Sequence, residues 1–203
     1  MKKLLLLLIA TTLFACKPDK PKSGKTPEVY TATFETTSGD FEIEVTRAWA
    51  PIAADRFYQL VNSGFYDGEP VYRVVEGFVA QFGSISGTKM KPWKDKIMPD
   101  EPLLQKNKKG YVSFARQGKE SRSTDVFINL KDNISLDTLT VDGLRGYTPF
   151  GRVTTGMETV EELYADYGEL VMQHPESFAT ATKFKKAFPN LDYIEKAYIS
   201  SGE

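Results

Sequence analysis

The stretch Val71-Tyr72-Arg73-Val74-Val75-Glu76-Gly77-Phe78-Val79-Ala80-Gln81-Phe82-Gly83 carries the reading of this chain. It sets one basic side chain, Arg73, between two apolar runs. Val71, Val74, Val75, Phe78 and Val79 favour extended backbone and burial. Gly77 interrupts the run and predicts a bend or bulge between two short strands. If the bend resets the alternation, Arg73, Phe78 and Gln81 share one concave face. A cation and an amide donor beside an aromatic wall suit a carbonyl oxygen attached to an apolar group. The plainer alternative is an edge strand whose arginine pairs with a surface carboxylate.

On the N-terminal side, Tyr30, Ala32 and Phe34 alternate with polar residues, as do Phe41, Ile43 and Val45, with Ser38-Gly39 between the runs. That pattern predicts a β-hairpin. Ala50 to Gly64 reads as a helix, with Pro51 in its first turn and Ala53, Phe57, Leu60 and Val61 on one apolar stripe. On the C-terminal side, Ser84 to Gly110 is a long polar excursion with prolines at 92, 99 and 102. Strands follow at Tyr111–Arg116, Val126–Leu130 and Thr148–Val153, with an irregular segment over Asp132–Arg145. Thr155 and Glu158 form a candidate capping box for a second helix, with Met157, Val160, Leu163 and Tyr164 as its stripe and Gly168 as its end. Pro175–Phe188 reads as a further short helix and Tyr193–Ile199 as a last strand. Many short strands with two main helices predict a mainly β fold, an antiparallel barrel with helical caps.

The chain has 203 residues and a net charge of −1, enough for one ordinary domain plus extras. No basic block marks a nucleic-acid footprint. A single His174 and a single Cys16 exclude a His/Cys metal cluster and an internal disulfide. No calcium-loop spacing occurs, and no cofactor is expected.

Residues 1–15 read as a signal peptide: Lys2 and Lys3, then an apolar run from Leu4 to Phe14 that is too short to span a membrane. Leu13-Phe14-Ala15-Cys16 resembles a bacterial lipoprotein box, which implies cleavage before Cys16 and lipid attached to it. Residues 16–28, rich in Lys and Pro after Cys16, read as a solvated tether. The folded domain is expected over 29–203. Lys17 after Cys16 leans towards outer-membrane sorting within that pattern. The expected location is the cell envelope of a bacterium, periplasmic or associated with the outer membrane.

The five pieces together resemble the cyclophilin-type peptidyl-prolyl isomerases. They are the hairpin, the Pro-started helix, Tyr72–Gly83, Phe127-Ile128-Asn129-Leu130 and Pro149-Phe150-Gly151-Arg152-Val153, in order from about Val29 to Gly168. The resemblance implies a closed eight-stranded barrel with a helix at each end and a shallow outer groove for Xaa-Pro. It implies that Arg73 faces the prolyl amide, that Phe78 and Phe127 wall the proline pocket and that Gln81 bonds substrate backbone. Val79 and Val141 are implied as apolar neighbours, Ala115 and Arg116 as the strand beside the peptide, and Tyr147 as the pocket rim. Gln117, Asp125 and Thr140 depart from the family pattern and bear on substrate preference and cyclosporin sensitivity. The expected activity is isomerisation of Xaa-Pro bonds in exported proteins, by a monomer bound to the membrane through lipid. The alternative is a binding module or holdase that captures proline-containing polypeptides with little catalysis.

Overall fold

The computed structural model describes residues 25–85 and 87–202. The expected signal peptide, Cys16 and most of the tether lie outside the described residues. The predicted hairpin forms from β1 (Val29–Thr36) and β2 (Gly39–Thr46). Its alternation buries Tyr30, Ala32, Phe34, Phe41, Ile43 and Val45. Phe34 and Phe41 sit directly opposite each other and stack with ring centroids 5.0 Å apart. Such cross-strand aromatic pairs stabilise a sheet beyond their burial.

Helix α1 (Pro51–Asn62) packs the predicted stripe of Ala53, Phe57, Leu60 and Val61, together with Ala54, into the core. Ala50, before it, has no side chain able to cap the first amides. Glu101 does so from the long excursion. It accepts from the amides of Ile52 (2.6 Å) and Ala53 (3.0 Å), placing a carboxylate at the positive end of the helix. Buried Arg122 donates to the same carboxylate at 3.1 Å, and the Thr148 hydroxyl donates to the Glu101 carbonyl. The polar excursion is therefore fixed to the helix start, and it contains the short helix α2 (Gly87–Met90).

The other strands are β3 (Glu69–Pro70), β4 (Arg73–Val75), β5 (Val79–Phe82), β6 (Tyr111–Phe114), β7 (Val126–Asn129), β8 (Thr140–Val141), β9 (Leu144–Arg145), β10 (Pro149–Thr155) and β11 (Tyr193–Gly202). Among the described residues, nine of the eleven strands form one curled sheet, ordered β3-β11-β1-β2-β10-β6-β7-β5-β4, while β8 and β9 pair separately. The expected closed eight-stranded barrel is thus corrected to an open, curled antiparallel sheet. The reason is connectivity. The two end strands, β3 and β4, are consecutive in the chain and joined only by Val71 and Tyr72. So short a link runs them end to end, and the gap is crossed by covalent chain instead of a hydrogen-bond ladder.

The predicted capping box does not form. Thr155 ends β10 and its hydroxyl donates to Glu42 at 3.0 Å. Helix α4 (Met157–Glu162) starts after Gly156, whose φ of +73° suits glycine, and a Cβ there would meet the Asp40 carbonyl oxygen at 2.2 Å. The helix stops at Glu162, before the expected Gly168, because Leu163 turns extended and is buried in the core. Helix α3 (Ile134–Thr138) adds a turn to the irregular segment. The expected C-terminal helix is divided into a 3-10 turn over Pro175–Ala179 and α5 (Ala181–Ala187). Together with a 3-10 segment over Gly168–Gln173, these build a second small core of Tyr72, Ile85, Val171, Phe184, Phe188 and Leu191.

Replacing Glu101 takes the nearer of two carboxylates from buried Arg122, leaving Asp100 at 3.6 Å, and leaves two helix amides without an acceptor. Glu101→Ala is therefore expected to lower the unfolding free energy by about 3 kcal/mol, measured by urea denaturation; an unchanged midpoint would contradict this account of the loop.

Candidate active site

The register of β4, β5 and β7 builds the site. Arg73 lies opposite Gln81, and Gln81 lies opposite Phe127. Directly opposed residues project to the same face of a sheet. The neighbouring row, Val74, Ala80, Ile128 and Val112, points into the main core. Arg73, Gln81 and Phe127 therefore share the outer face. Gly77, with a φ of +61°, turns the chain between β4 and β5 as the sequence predicts. That turn returns Phe78 to the guanidinium, with the Arg73 Cζ 5.7 Å from the ring centroid.

A relay of hydrogen bonds orients the arginine. Arg73 Nη1 donates to Gln81 Oε1 (2.9 Å), and Gln81 Nε2 donates to the Tyr72 hydroxyl (2.7 Å). Burial pushes the Tyr72 phenol well above its usual pKa, so it remains a neutral partner. On its other edge Arg73 donates from Nε (3.0 Å) and Nη2 (2.5 Å) to both carboxylate oxygens of Glu169. The plainer alternative, an arginine paired with a surface carboxylate, is thus also realised, within a site that holds aromatic residues.

These groups line a cavity of about 610 Å³. Its apolar end is made by Val79, Phe127 and Leu136, with Phe78, Ala115 and Tyr147 packed against them. Phe127 and Tyr147 meet edge to face at 5.6 Å. Its polar end holds Gln117, Ser121, Ser123 and Asp125. The Asp125 carboxylate rests against Gly83, where a Cβ would stand 1.6 Å from Oδ1. Burial pushes this carboxyl up to about 7.

Arg116 lines the cavity but is not a free strand residue. β6 ends at Phe114, and the Arg116 guanidinium lies 4.7 Å from the Tyr147 ring centroid. Its Nη2 donates to the carbonyls of Gly146 (2.8 Å) and Leu144 (3.2 Å), pinning the rim loop. Val141 does not line the cavity. It pairs with Leu144 in the β8–β9 hairpin, and the α3 turn instead brings Leu136 inward, where its carbonyl accepts from the Tyr147 amide (2.9 Å). An irregular reading of this segment gave no means of seeing that turn.

The sequence reading also missed what supports the walls. Asn133 Nδ2 donates to the Phe78 carbonyl and to Asn129 Oδ1, both at 2.8 Å. Asn129 Nδ2 donates to the Tyr111 carbonyl (2.8 Å), and Asn107 Nδ2 donates to Asp137 Oδ1 (2.9 Å) and to the Tyr147 carbonyl (2.8 Å). These buried amides fix both aromatic walls from behind. Asn129, a polar residue inside an apolar strand, was the available signal. Glu169 and Met172, which also line the cavity, had none.

The family model of cyclophilin type peptidyl-prolyl cis-trans isomerases matches residues 31–181. The chain is 35% identical over 132 residues to peptidyl-prolyl cis-trans isomerase A of Dickeya dadantii, covering 63% of this chain and 67% of that one. It is 33% identical over 135 residues to peptidyl-prolyl cis-trans isomerase B of Escherichia coli, covering 64% and 82%. A crystal structure of a Cryptosporidium parvum cyclophilin shares the fold, with a TM-score of 0.61 at 20% identity over 86% of this chain and 99% of that one. The same Cryptosporidium protein was also solved in the presence of the dipeptide Ala-Pro, with a TM-score of 0.60 at 20% identity over 85% and 99%. A family match over most of the chain, with the arginine, the glutamine and the aromatic residues gathered on one outer face, establishes that the chain belongs to the cyclophilin-type peptidyl-prolyl cis-trans isomerases.

Proposed function

We propose that the Arg73 cavity is where this isomerase acts, and that it turns Xaa-Pro bonds in exported polypeptides by favouring the twisted amide. An Xaa-Pro bond is planar through resonance, and its rotation barrier is about 18–20 kcal/mol. Twisting breaks that resonance. The nitrogen becomes pyramidal and gains a lone pair, and the carbonyl becomes more ketone-like. No covalent bond or proton has to move. A catalyst needs to hold the ring and prefer the twisted state, and each 1.36 kcal/mol of such preference gives about tenfold in rate.

The residues suit those two tasks. Phe78, Phe127, Val79 and Leu136 offer an apolar recess. The guanidinium beside it carries its donors in a rigid plane, held by Gln81 and Tyr72. It can donate to the nitrogen lone pair or to a neighbouring carbonyl oxygen as rotation proceeds. The observation that carries the proposal is this juxtaposition of a preorganised cation and an apolar cleft in one cavity. The Ala-Pro dipeptide used with the Cryptosporidium protein supports a proline-containing ligand. A second reading, capture without turnover, draws on Glu169, which already occupies two donors of Arg73.

The envelope location rests on the sequence before Val29. A basic start, a short apolar run and Cys16 in a lipoprotein-like box support export, lipidation and anchoring, with the tether holding the domain off the membrane. Among the described residues no helix is long and apolar enough to cross a bilayer. Acyl chains on Cys16 would supply the attachment, at roughly 0.8 kcal/mol per buried methylene.

Three outcomes are expected. Arg73→Ala lowers the cis-to-trans rate constant on a proline tetrapeptide by about 100-fold, the scale of losing one preorganised donor, with an unchanged circular dichroism spectrum; peptide binding without any rate enhancement in the unaltered protein would support the capture reading. Asp125 holds its proton more tightly folded than unfolded, so its contribution to stability is complete below about pH 4 and lost as pH rises to about 7. Melting curves of Asp125→Asn should accordingly show a smaller fall in Tm across that window than the unaltered protein. Finally, Cys16→Ser should move the full-length protein from the membrane pellet to the soluble fraction, and retention in the pellet would remove the lipid-anchor proposal.

A further inference from the structure

Glu169 reaches the guanidinium from a segment that the isomerase mechanism does not use. The 3-10 turn Gly168–Gln173 is fastened by Val171, which is wholly buried beside Tyr72, Ile85, Phe184, Phe188 and Leu191. The backbone carrying Glu169 is therefore held in place. Its side chain is 53% exposed, whereas that of Arg73 is 16% exposed. Bonding to Arg73 draws the Glu169 carboxyl below its usual pKa, keeping it charged. A carboxylate here fills the Nε and Nη2 donors and offsets the positive charge that must meet the prolyl amide.

The other charged groups lining the cavity sharpen the consequence. They are Arg73, Arg116 and Asp125. Arg73 is taken by Glu169 and Gln81, and Arg116 by two backbone carbonyls and the Tyr147 ring. Arg73 is engaged on both edges, and Arg116 bonds only through Nη2, its buried Nε and Nη1 having no hydrogen-bond partner among the described residues, while the outer side of Glu169 is open to an incoming chain. We propose that Glu169 is a specificity-determining competitor for Arg73. An Xaa-Pro segment engages the arginine by displacing the carboxylate. Segments with lysine or arginine beside the proline do so most readily, because their cation gives the departing carboxylate a new partner. Segments with an acidic neighbour do so least readily.

This rests on Arg73 acting on the prolyl amide, and one set of assays separates the two claims. The value of kcat/KM is measured on tetrapeptides with Lys, Ala or Glu before proline, for the unaltered protein, Glu169→Gln and Arg73→Ala. The unaltered protein is expected to prefer the Lys peptide over the Glu peptide by about fivefold, the scale of a partly exposed charge pair. Glu169→Gln should raise the rate on the Ala peptide about threefold or more and flatten the charge order. A fall in rate on all three peptides would overturn the proposal and make Glu169 a positioning group. A charge order that survives Glu169→Gln would overturn it in favour of Asp125. If Arg73→Ala keeps the unaltered rate, the arginine reading fails. If only Arg73→Ala loses activity and Glu169→Gln matches the unaltered protein, the competitor role alone fails.

Discussion

The site depends on one constraint, the registration of β4, β5 and β7. Because side chains alternate across a strand, a slip of one residue would send Arg73 and Gln81 to the face now occupied by Val74 and Ala80. Such a slip would bury a guanidinium among aromatic rings and expose aliphatic groups. The hydrophobic row thus fixes the polar row, and the position of the arginine follows from the packing of the valine beside it. The Gly77 turn sets the length of the loop, and the asparagines behind Phe78 and Tyr147 keep the aromatic walls from relaxing into the core.

Much of this was legible in the residues. Period-two patterns in Tyr30–Phe34 and Phe41–Val45, and two apolar runs broken at Gly77, gave strands where strands occur. The helix over Pro51–Asn62 was readable from its stripe and its proline. Residues read as neighbours through the family resemblance, Arg73, Phe78, Gln81, Phe127 and Tyr147, do line one cavity.

What could not be read depended on contacts distant in sequence. Glu101 caps α1 from far along the chain, which no local spacing reveals, while Thr155, spaced like the cap of α4, ends a strand and bonds Glu42 instead. Leu136 replaces Val141 because an α3 turn within a polar segment changes which residue points inward. Glu169 pairs with a residue 96 positions away, through a segment whose burial rests on Val171 alone. Closure of the sheet was overestimated because strand count does not reveal that the end strands are the same piece of chain.

A sheet with free margins can recruit extended segments by backbone pairing, which would hold a client instead of releasing it. Here one margin is a two-residue strand containing Pro70 and the other a three-residue strand beginning with a charged arginine. Neither presents a ladder long enough to template a foreign strand, and proline and charge further discourage adhesion. An extended chain therefore finds little on either margin of the sheet with which to extend the ladder.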